Sequence, residues 1–198
     1  YGGGTDYYGG GIFNTGSLTL SNSTVSANSA YYKGGGIYNG SSGTVRLVGS
    51  TVAFNRSLKN WQAVDGAGLY NEPGGQVSAR GTIVACNTGE PGVDFAGTLI
   101  SEDNNLIQRV EGCVVVGTTN HNIVGIDPLL GPLADNGGPT MTCALLEGSP
   151  AIGKGSNPLA LASDQRGTGY VREKYGRADI GAFEFGASPA GGTMLILR

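Results

Sequence analysis

The side chains that most often carry catalysis are sparse in this chain of 198 residues. His121 is the only histidine, and no nucleophile lies close to it in the sequence, which argues against a nucleophile–histidine triad. Between residues 9 and 89 the only acids are Asp65 and Glu72, each beside a corner or a loop. An acid–base pair of these two is the alternative, but we predict no catalytic residue and expect a protein that is not an enzyme.

Candidate metal ligands are also few. The segment Glu102-Asp103-Asn104-Asn105 is a calcium candidate, with solvated loop charge as the alternative. The segment Asp135-Asn136-Gly137-Gly138 lacks the alternating oxygen ligands and the final Glu of a calcium loop, so it predicts a turn. The three cysteines have no metal-ligand spacing. We therefore expect no metal site and no cofactor.

Tyrosine pairs are the feature that most suggests binding. Tyr7-Tyr8 and Tyr31-Tyr32 each stand just before a triple glycine, 24 residues apart, so they are expected to stack on one edge of the fold. Aromatic rings on a flat β surface bind sugars and also bind other protein surfaces. The alternative is that these rings pack on a corner and only cap a loop. Surface glycans and further copies of this chain are thus the candidate partners.

Composition and charge exclude several classes of protein. The chain has 37 glycines and 8 prolines, but 39 % of its residues are hydrophobic and its net charge is only −3, which excludes a disordered chain. Acids concentrate between residues 65 and 150, and no basic face of the kind that binds nucleic acid is visible. No apolar run approaches the roughly 20 residues of a membrane span, so we expect no membrane insertion.

An internal repeat must position these residues. The segment Gly-Gly-Gly-Ile-Phe-Asn at 9–14 recurs in similar form at 34–39 and 66–71. Each copy is followed by a short block of alternating β-branched and polar residues, which is typical of strands and lacks the 3.6-residue period of a helix. Repeats of this length built from short strands and glycine or asparagine corners predict a β-solenoid.

Stacking of the repeats predicts which residues align. Equivalent positions in successive coils of a solenoid lie about 4.8 Å apart, so they form columns. Asparagine suits the corners because it tolerates left-handed backbone and its amide can bond the amides above and below it. The expected columns are the inward Ile12, Ile37 and Leu69 and the corner sets Asn14, Asn39 and Asn71, and Asn28, Asn55 and Asn87.

The cysteines follow from the same geometry. Cys86 and Cys113 are 27 residues apart, which is about one coil. Stacked positions in adjacent coils lie within the Cα range that a disulfide accepts. We therefore expect Cys86 and Cys113 to be bonded or in contact, and Cys143 to be a free buried thiol.

The repeat also divides the chain. Residues 1–125 are expected to form the coils, residues 126–185 a loop-rich cap on the open solenoid end, and residues 186–198 a linker with an apolar terminal strand. Ion pairs are expected to pin the cap, within Asp164-Gln165-Arg166-Gly167 and between Asp179 and Arg172 or Arg177. The strand at 193–198 could pair with an exposed sheet edge and join copies head to tail into a fibre.

The cap carries a resemblance to a known family. Its motifs are Asp127-Pro128-Leu129-Leu130-Gly131-Pro132-Leu133-Ala134-Asp135-Asn136-Gly137-Gly138-Pro139, Gly148-Ser149-Pro150-Ala151-Ile152 and Asp179-Ile180-Gly181-Ala182-Phe183-Glu184. Over residues 9–185 the chain resembles the bacterial surface β-helix proteins called choice-of-anchor Q domain proteins. The glycine-rich repeats are also similar to those of chlamydial polymorphic outer membrane proteins.

The resemblance implies a right-handed parallel β-helix that is secreted or displayed on a bacterial cell surface. It implies no enzymatic activity. We therefore expect an all-β fold of three to four coils with a C-terminal cap, serving as a non-enzymatic scaffold or adhesin, with self-assembly left open. The alternatives are a carbohydrate-active β-helix enzyme, of the polysaccharide lyase or hydrolase kind, and a sugar-binding module.

Overall fold

The computed structural model of the protein describes residues 7–58, 66–89 and 93–189. Within these ranges the chain is all-β, with short strands joined by turns and bends. The strands are β1 (Ile12–Asn14), β2 (Ser17–Ser21), β3 (Thr24–Ser26), β4 (Ser29–Ala30), β5 (Ile37–Asn39), β6 (Thr44–Val48), β7 (Thr51–Ala53), β8 (Arg56–Ser57), β9 (Leu69–Asn71), β10 (Gln76–Arg80), β11 (Ile83–Ala85), β12 (Phe95–Glu102), β13 (Leu106–Ile107), β14 (Cys113–Thr118), β15 (Ile123–Val124), β16 (Leu130–Ala134) and β17 (Thr142–Leu145).

Two large parallel sheets and the short parallel pair β4–β8 make up a nearly closed, solenoid-like arrangement. One has eight strands in the order β1-β5-β9-β12-β10-β6-β2, with β14 also paired to β12. The other has five strands in the order β15-β13-β11-β7-β3. The long strand β12 continues both the β1-β5-β9 stack and the β2-β6-β10 stack, so it joins them into one sheet. The strands of each repeat therefore stack on their equivalents in the next repeat, as the sequence pattern predicts.

The interior is filled by columns of apolar side chains. Ile12 pairs with Ile37, Ile37 with Leu69, and Leu69 with Phe95, so the predicted inward set continues into β12. Ile37, Leu69 and Phe95 are completely buried, whereas Ile12 at the sheet edge is half-buried. Burying each such side chain stabilises the fold by about 1.5–3 kcal/mol relative to exposure, which makes these columns the main apolar contribution.

Asparagine columns occupy two of the corners. Asn14 donates from its Nδ2 to Asn39 Oδ1 at 2.7 Å, and Asn39 does the same to Asn71 at 2.8 Å. The second column has the same pattern, with 3.0 Å for each of the bonds that join Asn28, Asn55 and Asn87. Each amide also bonds backbone carbonyls of its own turn, so the columns satisfy polar backbone that would otherwise be buried without partners.

A third polar column, of mixed residue types, lies at another corner. The backbone N–H of Ser50 faces Thr82 Oγ1 at 3.5 Å, and that of Thr82 donates to Asn105 Oδ1 at 3.1 Å. The N–H of Asn105 then donates to Asn122 Oδ1 at 2.9 Å. Side-chain oxygens of different residue types thus accept the equivalent N–H, which is why no sequence repeat reveals this column.

The segment at 126–185 docks on the outer face of the five-stranded sheet. Its antiparallel pair β16–β17 and the residues near 180 supply Leu145, Ile180 and Phe183, which pack against Ile83 and Leu106 of β11 and β13. A hydrogen bond of 3.0 Å, from the backbone N–H of Ala182 to the side-chain Oγ1 of Thr51, fixes this contact. Packing on this face means that the segment covers the side of the solenoid between its two ends, whereas the sequence pattern predicts a cap over the open end; we keep the name cap for residues 126–185.

Gly181 shows how close that contact is. It has φ +101°, and a Cβ there would lie 2.8 Å from both Ile83 Cδ1 and Thr51 Oγ1. Only glycine avoids the backbone strain and the overlap together. The Asp-Ile-Gly-Ala-Phe-Glu motif therefore serves to bring cap backbone against the sheet.

A buried ion pair lies inside the cap, as the sequence predicts for Asp164 and Arg166. Arg166 donates from Nη2 to Asp164 Oδ2 at 2.6 Å and from Nε to the same oxygen at 3.0 Å. Arg166 Nη2 also donates to the carbonyl of Glu184 at 2.7 Å, which ties two cap loops together. Because both charges are almost fully buried, removing either partner would leave an uncompensated charge.

The expected ion pair between Asp179 and Arg172 or Arg177 is wrong. The Asp179 carboxylate accepts the backbone N–H groups of Gly153 and Phe185, each at 2.6 Å. The atom of Asp179 to which Arg172 donates is the backbone carbonyl oxygen, at 3.0 Å, and not a carboxylate oxygen. Backbone donors already occupy the carboxylate, so it holds two cap loops without an arginine. The apolar segment expected to add a strand, 193–198, lies outside the described residues.

Candidate functional site

Three aromatic rings project outward from successive strands of one stack. Phe13, Tyr38 and Tyr70 occupy the middle positions of β1, β5 and β9, between an inward aliphatic residue and an inward asparagine. Their backbones are in register, and the rings stack with centroids 5.0 Å and 5.6 Å apart and interplanar angles of 5° and 11°. Alternation along a strand forces this placement, because neighbours on both sides point into the core.

The tyrosine pairs extend this row. The ring centroid of Tyr8 lies 5.1 Å from that of Tyr38 and 5.9 Å from that of Tyr32. Tyr7 stacks on Tyr32 at 5.7 Å and meets Tyr31 edge-on at 5.8 Å. All four predicted tyrosines therefore lie together, and they join the three strand aromatics in one surface. We call this surface the aromatic strip, formed by Phe13, Tyr38, Tyr70, Tyr7, Tyr8, Tyr31 and Tyr32.

The strip remains open to solvent along one side. Tyr7 is 65 % exposed, Phe13 57 % and Tyr8 40 %, although each ring contacts at least one other. Aromatic pairs at such distances contribute about 0.5–1.5 kcal/mol beyond area burial, which favours this stacked arrangement. The strip is thus a stacked apolar surface whose outermost rings still present large area to water.

Charged groups border the strip and orient its hydroxyls. Lys33 Nζ donates to the Tyr70 hydroxyl at 2.9 Å and lies 4.2 Å from the Tyr70 ring centroid. The Tyr38 hydroxyl donates to Glu72 Oε1 at 2.7 Å, and Lys33 lies 3.9 Å from the same carboxylate oxygen. Burial, reinforced by the Glu72 carboxylate, raises the pKa of Tyr38, so its hydroxyl stays a donor. Opposite charges at the border leave the strip nearly neutral.

Of the residues considered for catalysis, Glu72 is part of the strip's border, and Asp65 lies outside the described residues. His121 is bonded through Nδ1 to Asp103 Oδ2 at 2.6 Å, on an exposed loop. No serine or cysteine nucleophile is among the described hydrogen-bond partners of the imidazole.

The calcium candidate at 102–105 has its side chains directed apart. Glu102 pairs with Arg46 at 2.8 Å, and Asp103 bonds His121. Asn104 donates to the carbonyl of Lys154, whereas Asn105 belongs to the third polar column inside the solenoid. Their oxygens therefore do not face a common point. In the described ranges no group of three or more His, Cys, Asp or Glu side chains could hold a metal ion.

The predicted contact of Cys86 with Cys113 is wrong, because the two thiols pack in different hydrophobic clusters. Both are free; Cys86 packs with the cap cluster, whereas Cys113 packs with the solenoid interior. The repeat that follows Cys86 is shorter than its predecessors, with a step of 23 residues from Ile83 to Leu106. A spacing of 27 therefore does not connect stacked positions here. Cys143 is free and buried.

Comparison with known proteins adds no relative to this picture. Searches of family models, of curated proteins and of solved structures return no match for this chain. No helix among the described residues is long and apolar enough to cross a membrane. Function must therefore be inferred from this molecule's own residues.

The sequence pattern identified four of the strip's rings but missed its strand aromatics and its charged border. Phe13, Tyr38 and Tyr70 were visible as the fifth residue of each repeat motif. Once the residues on both sides point inward, the fifth must point outward, so the repeat itself contained the signal. Lys33 and Glu72 had no such signal, because their role depends on which loops the stacking brings alongside the rings.

Proposed function

We propose that this chain is a right-handed parallel β-helix of three to four coils that acts outside the bacterial cell as a non-enzymatic, glycan-adhering scaffold. Parallel strands stacked repeat on repeat support the β-helix, and connections between parallel strands are right-handed in nearly all proteins. The resemblance of the cap motifs to bacterial surface β-helix proteins supports the location. The aromatic strip supports adhesion.

The observation that carries this proposal is a row of seven ordered rings that the fold leaves open to solvent. The apolar faces of sugar rings stack on aromatic side chains, and polar groups at the border bond the sugar hydroxyls. Lys33 and Glu72 are placed to provide a donor and an acceptor beside the rings. Because these two charges oppose each other, the strip suits a neutral polysaccharide.

A carbohydrate-active enzyme is the second candidate, and the arrangement of Glu72 disfavours it. Its carboxylate accepts the Tyr38 hydroxyl and faces Lys33, an arrangement that positions rings. Glycosidases need two carboxylates about 5–9 Å apart across the scissile bond. No second acid borders the strip among the described residues that contact Glu72.

Affinity gel electrophoresis tests the proposal with soluble neutral polysaccharides: hydroxyethylcellulose, xylan, mixed-linkage β-glucan and galactomannan. We expect at least one polymer to retard the parent protein. Phe13→Ala and Tyr7→Ala remove the most exposed rings and should each weaken retardation about 3- to 10-fold, the equivalent of about 1 kcal/mol per ring. Met141→Ala, which removes an exposed apolar side chain on the cap, is the matched control and should bind like the parent.

Three results would refute the proposal. One is the absence of retardation in every polymer. Another is equal weakening by Met141→Ala and Phe13→Ala, which would indicate nonspecific adsorption. The third is release of reducing ends or unsaturated sugars from any of the polymers, since turnover requires the enzymatic alternative. Light scattering at the same protein concentration separates glycan binding from pairing of the strips of two copies.

A further inference from the structure

A second concave site lies where the last strands of the solenoid meet the cap. This cleft has a volume of about 490 Å³ and is lined by Asn104, His121 and Asn122 on the solenoid side and by Lys154 and Arg177 on the cap side. None of the aromatic strip's residues lines it. We refer to it as the seam cleft.

Both charged side chains among the described residues that line the seam cleft are positive. Lys154 and Arg177 take part in none of the ion pairs found among the described residues. The neighbouring acids are already engaged: Asp103 bonds His121, and the Asp179 carboxylate accepts two backbone N–H groups. Two solvated cations that line a concave site, beside acids whose oxygens already accept hydrogen bonds, suit it to an anionic ligand.

An exposed aromatic ring stands next to these cations. Tyr175 is 94 % exposed and lies in an adjoining groove that shares Gly153 and Arg177 with the seam cleft. It occupies the tip of a tight turn in which Tyr175 has φ +58° and Gly176 φ +74°. Such a turn favours asparagine, aspartate or glycine at the tyrosine's position, so a tyrosine there costs folding free energy. Turn formation therefore does not explain the ring.

The turn is held in place from both sides. Arg177 donates its backbone N–H to the Lys174 carbonyl at 3.3 Å, and Lys174 Nζ bonds the carbonyl of Gly186. Lys174 Nζ also lies 5.4 Å from the Tyr175 ring centroid. A ring that is fixed at its base, bordered by Lys174 and Arg177 and otherwise uncovered is suited to stacking against a ligand that carries negative charge.

From this arrangement we propose that the seam cleft binds an acidic sugar unit of a polysaccharide. Arg177 and Lys154 hold its carboxylate or sulfate group, and Tyr175 stacks on the sugar ring. His121 Nδ1 is bonded to Asp103, which leaves Nε2 available for a ligand hydroxyl. Arginine suits the anionic group because its planar fork matches carboxylate and sulfate oxygens. This site is separate from the strip and recognises charge, whereas the strip is suited to neutral sugar.

Calorimetric titration with oligosaccharides of matched length tests this inference. The probes are tetragalacturonate, its fully methyl-esterified form, which is neutral, and a sulfated carrageenan tetrasaccharide. We expect an acidic probe to bind, the methyl ester to bind at least tenfold more weakly, and the affinity for the acid to fall as salt is raised. Comparing tetragalacturonate with the sulfated probe decides whether carboxylate or sulfate is the preferred group.

Single substitutions then locate the binding. Arg177→Gln and Lys154→Gln should each weaken binding of the acidic probe about tenfold and reduce its salt dependence. Tyr175→Ala should weaken binding while the salt dependence stays that of the parent. Arg56→Gln removes another exposed arginine and is the matched control. All four side chains lie on the surface, so thermal melting should show that each variant folds like the parent.

Specific outcomes would overturn the inference. These are equal binding of the acid and its methyl ester, absence of binding by both acidic probes, and a loss in Arg56→Gln as large as in Arg177→Gln. Phe13→Ala keeps this test independent of the proposed function, because it should weaken retardation by neutral polymers and leave the acidic probe unaffected. Failure at the strip and failure at the seam cleft are therefore separate results.

Discussion

Replacing Asn55 with alanine tests whether the amide columns hold the stacked repeats together. Asn55 is completely buried, and its Nδ2 donates to the Val25 carbonyl at 3.0 Å, to the Ala53 carbonyl at 3.2 Å and to Asn87 Oδ1 at 3.0 Å. Its Oδ1 accepts the backbone N–H of Asn28 at 3.1 Å and the side-chain Nδ2 of Asn28 at 3.0 Å. One side chain thus links three repeats.

The expected cost follows from the groups that alanine would leave without that partner. A buried polar group that loses its partner costs about 1–3 kcal/mol, and a lost bond to a partner that water can reach costs less. Val25 and Ala53 are buried, and Asn87 Oδ1 keeps its bond from the Asn55 N–H. We therefore expect Asn55→Ala to lower the free energy of unfolding by about 3–5 kcal/mol, since two buried carbonyls lose a donor.

Urea unfolding followed by circular dichroism measures this loss. With a slope of about 1–3 kcal/mol per molar urea, the midpoint should fall by roughly 2 M. Asn28→Ala removes the half-buried end of the same column and should cost only about 1 kcal/mol. Thr88→Ala, an exposed neighbour of the column, should unfold like the parent. A loss of stability in Asn55→Ala no larger than that in Asn28→Ala would refute the role assigned to the columns.

Three further predictions follow from burial. Ile37→Asp should abolish folding of the stacked repeats, since an unpaired buried charge costs several kcal/mol. Ile12→Asp, at the half-buried sheet edge, should be tolerated better. Equal melting temperatures of the two variants would contradict the column assignment. Thiol titration in denaturant without reductant should count three free thiols, whereas a count of one would show that a disulfide is present. The thiols of the native protein should react slowly, because burial raises the pKa of Cys86 to about 11 and of Cys113 to about 12. Burial and the nearby Asp179 raise the pKa of Glu184 to about 7, so the folded state binds this proton more tightly than the unfolded state does. Stability should therefore fall as the pH rises from about 4.5 to 7, and Glu184→Gln should flatten that part of the pH profile; an unchanged profile would show that Glu184 does not titrate there.

The sequence was sufficient for the features that repeat with the same residue type. The inward Ile12, Ile37 and Leu69 and both asparagine columns could be aligned from the repeat pattern alone, because identical or similar side chains return at each coil. The third polar column could not be aligned in this way, since serine, threonine and asparagine play the same role in successive repeats. Chemistry that recurs with one residue type is therefore the part that a sequence predicts.

Features that depend on loop length could not be predicted. The contact of Cys86 with Cys113 assumed a constant coil, whereas the step changes from 32 residues between Thr51 and Ile83 to 23 between Ile83 and Leu106. A longer or shorter loop changes which residues of adjacent coils lie opposite each other, and it costs little free energy of folding. The seam cleft depends on a further unknown, the face on which the cap docks, which the sequence pattern of the cap does not encode locally.

The composition of the outward positions bears on whether the aromatic strip is a product of stability alone. In the neighbouring stack, the outward residues that pair across β2, β6 and β10 are Thr19, Arg46 and Ser78, so polar side chains suffice for an outer row of this solenoid. Cross-strand aromatic pairs contribute only about 0.5–1.5 kcal/mol each, and the apolar area that Phe13 and Tyr7 still expose offsets part of that gain. A row selected for stability alone would cover its rings or use β-branched residues. The rings of the strip are in register but still expose apolar area, which a bound ligand would bury. The glycan experiments therefore address the strip first.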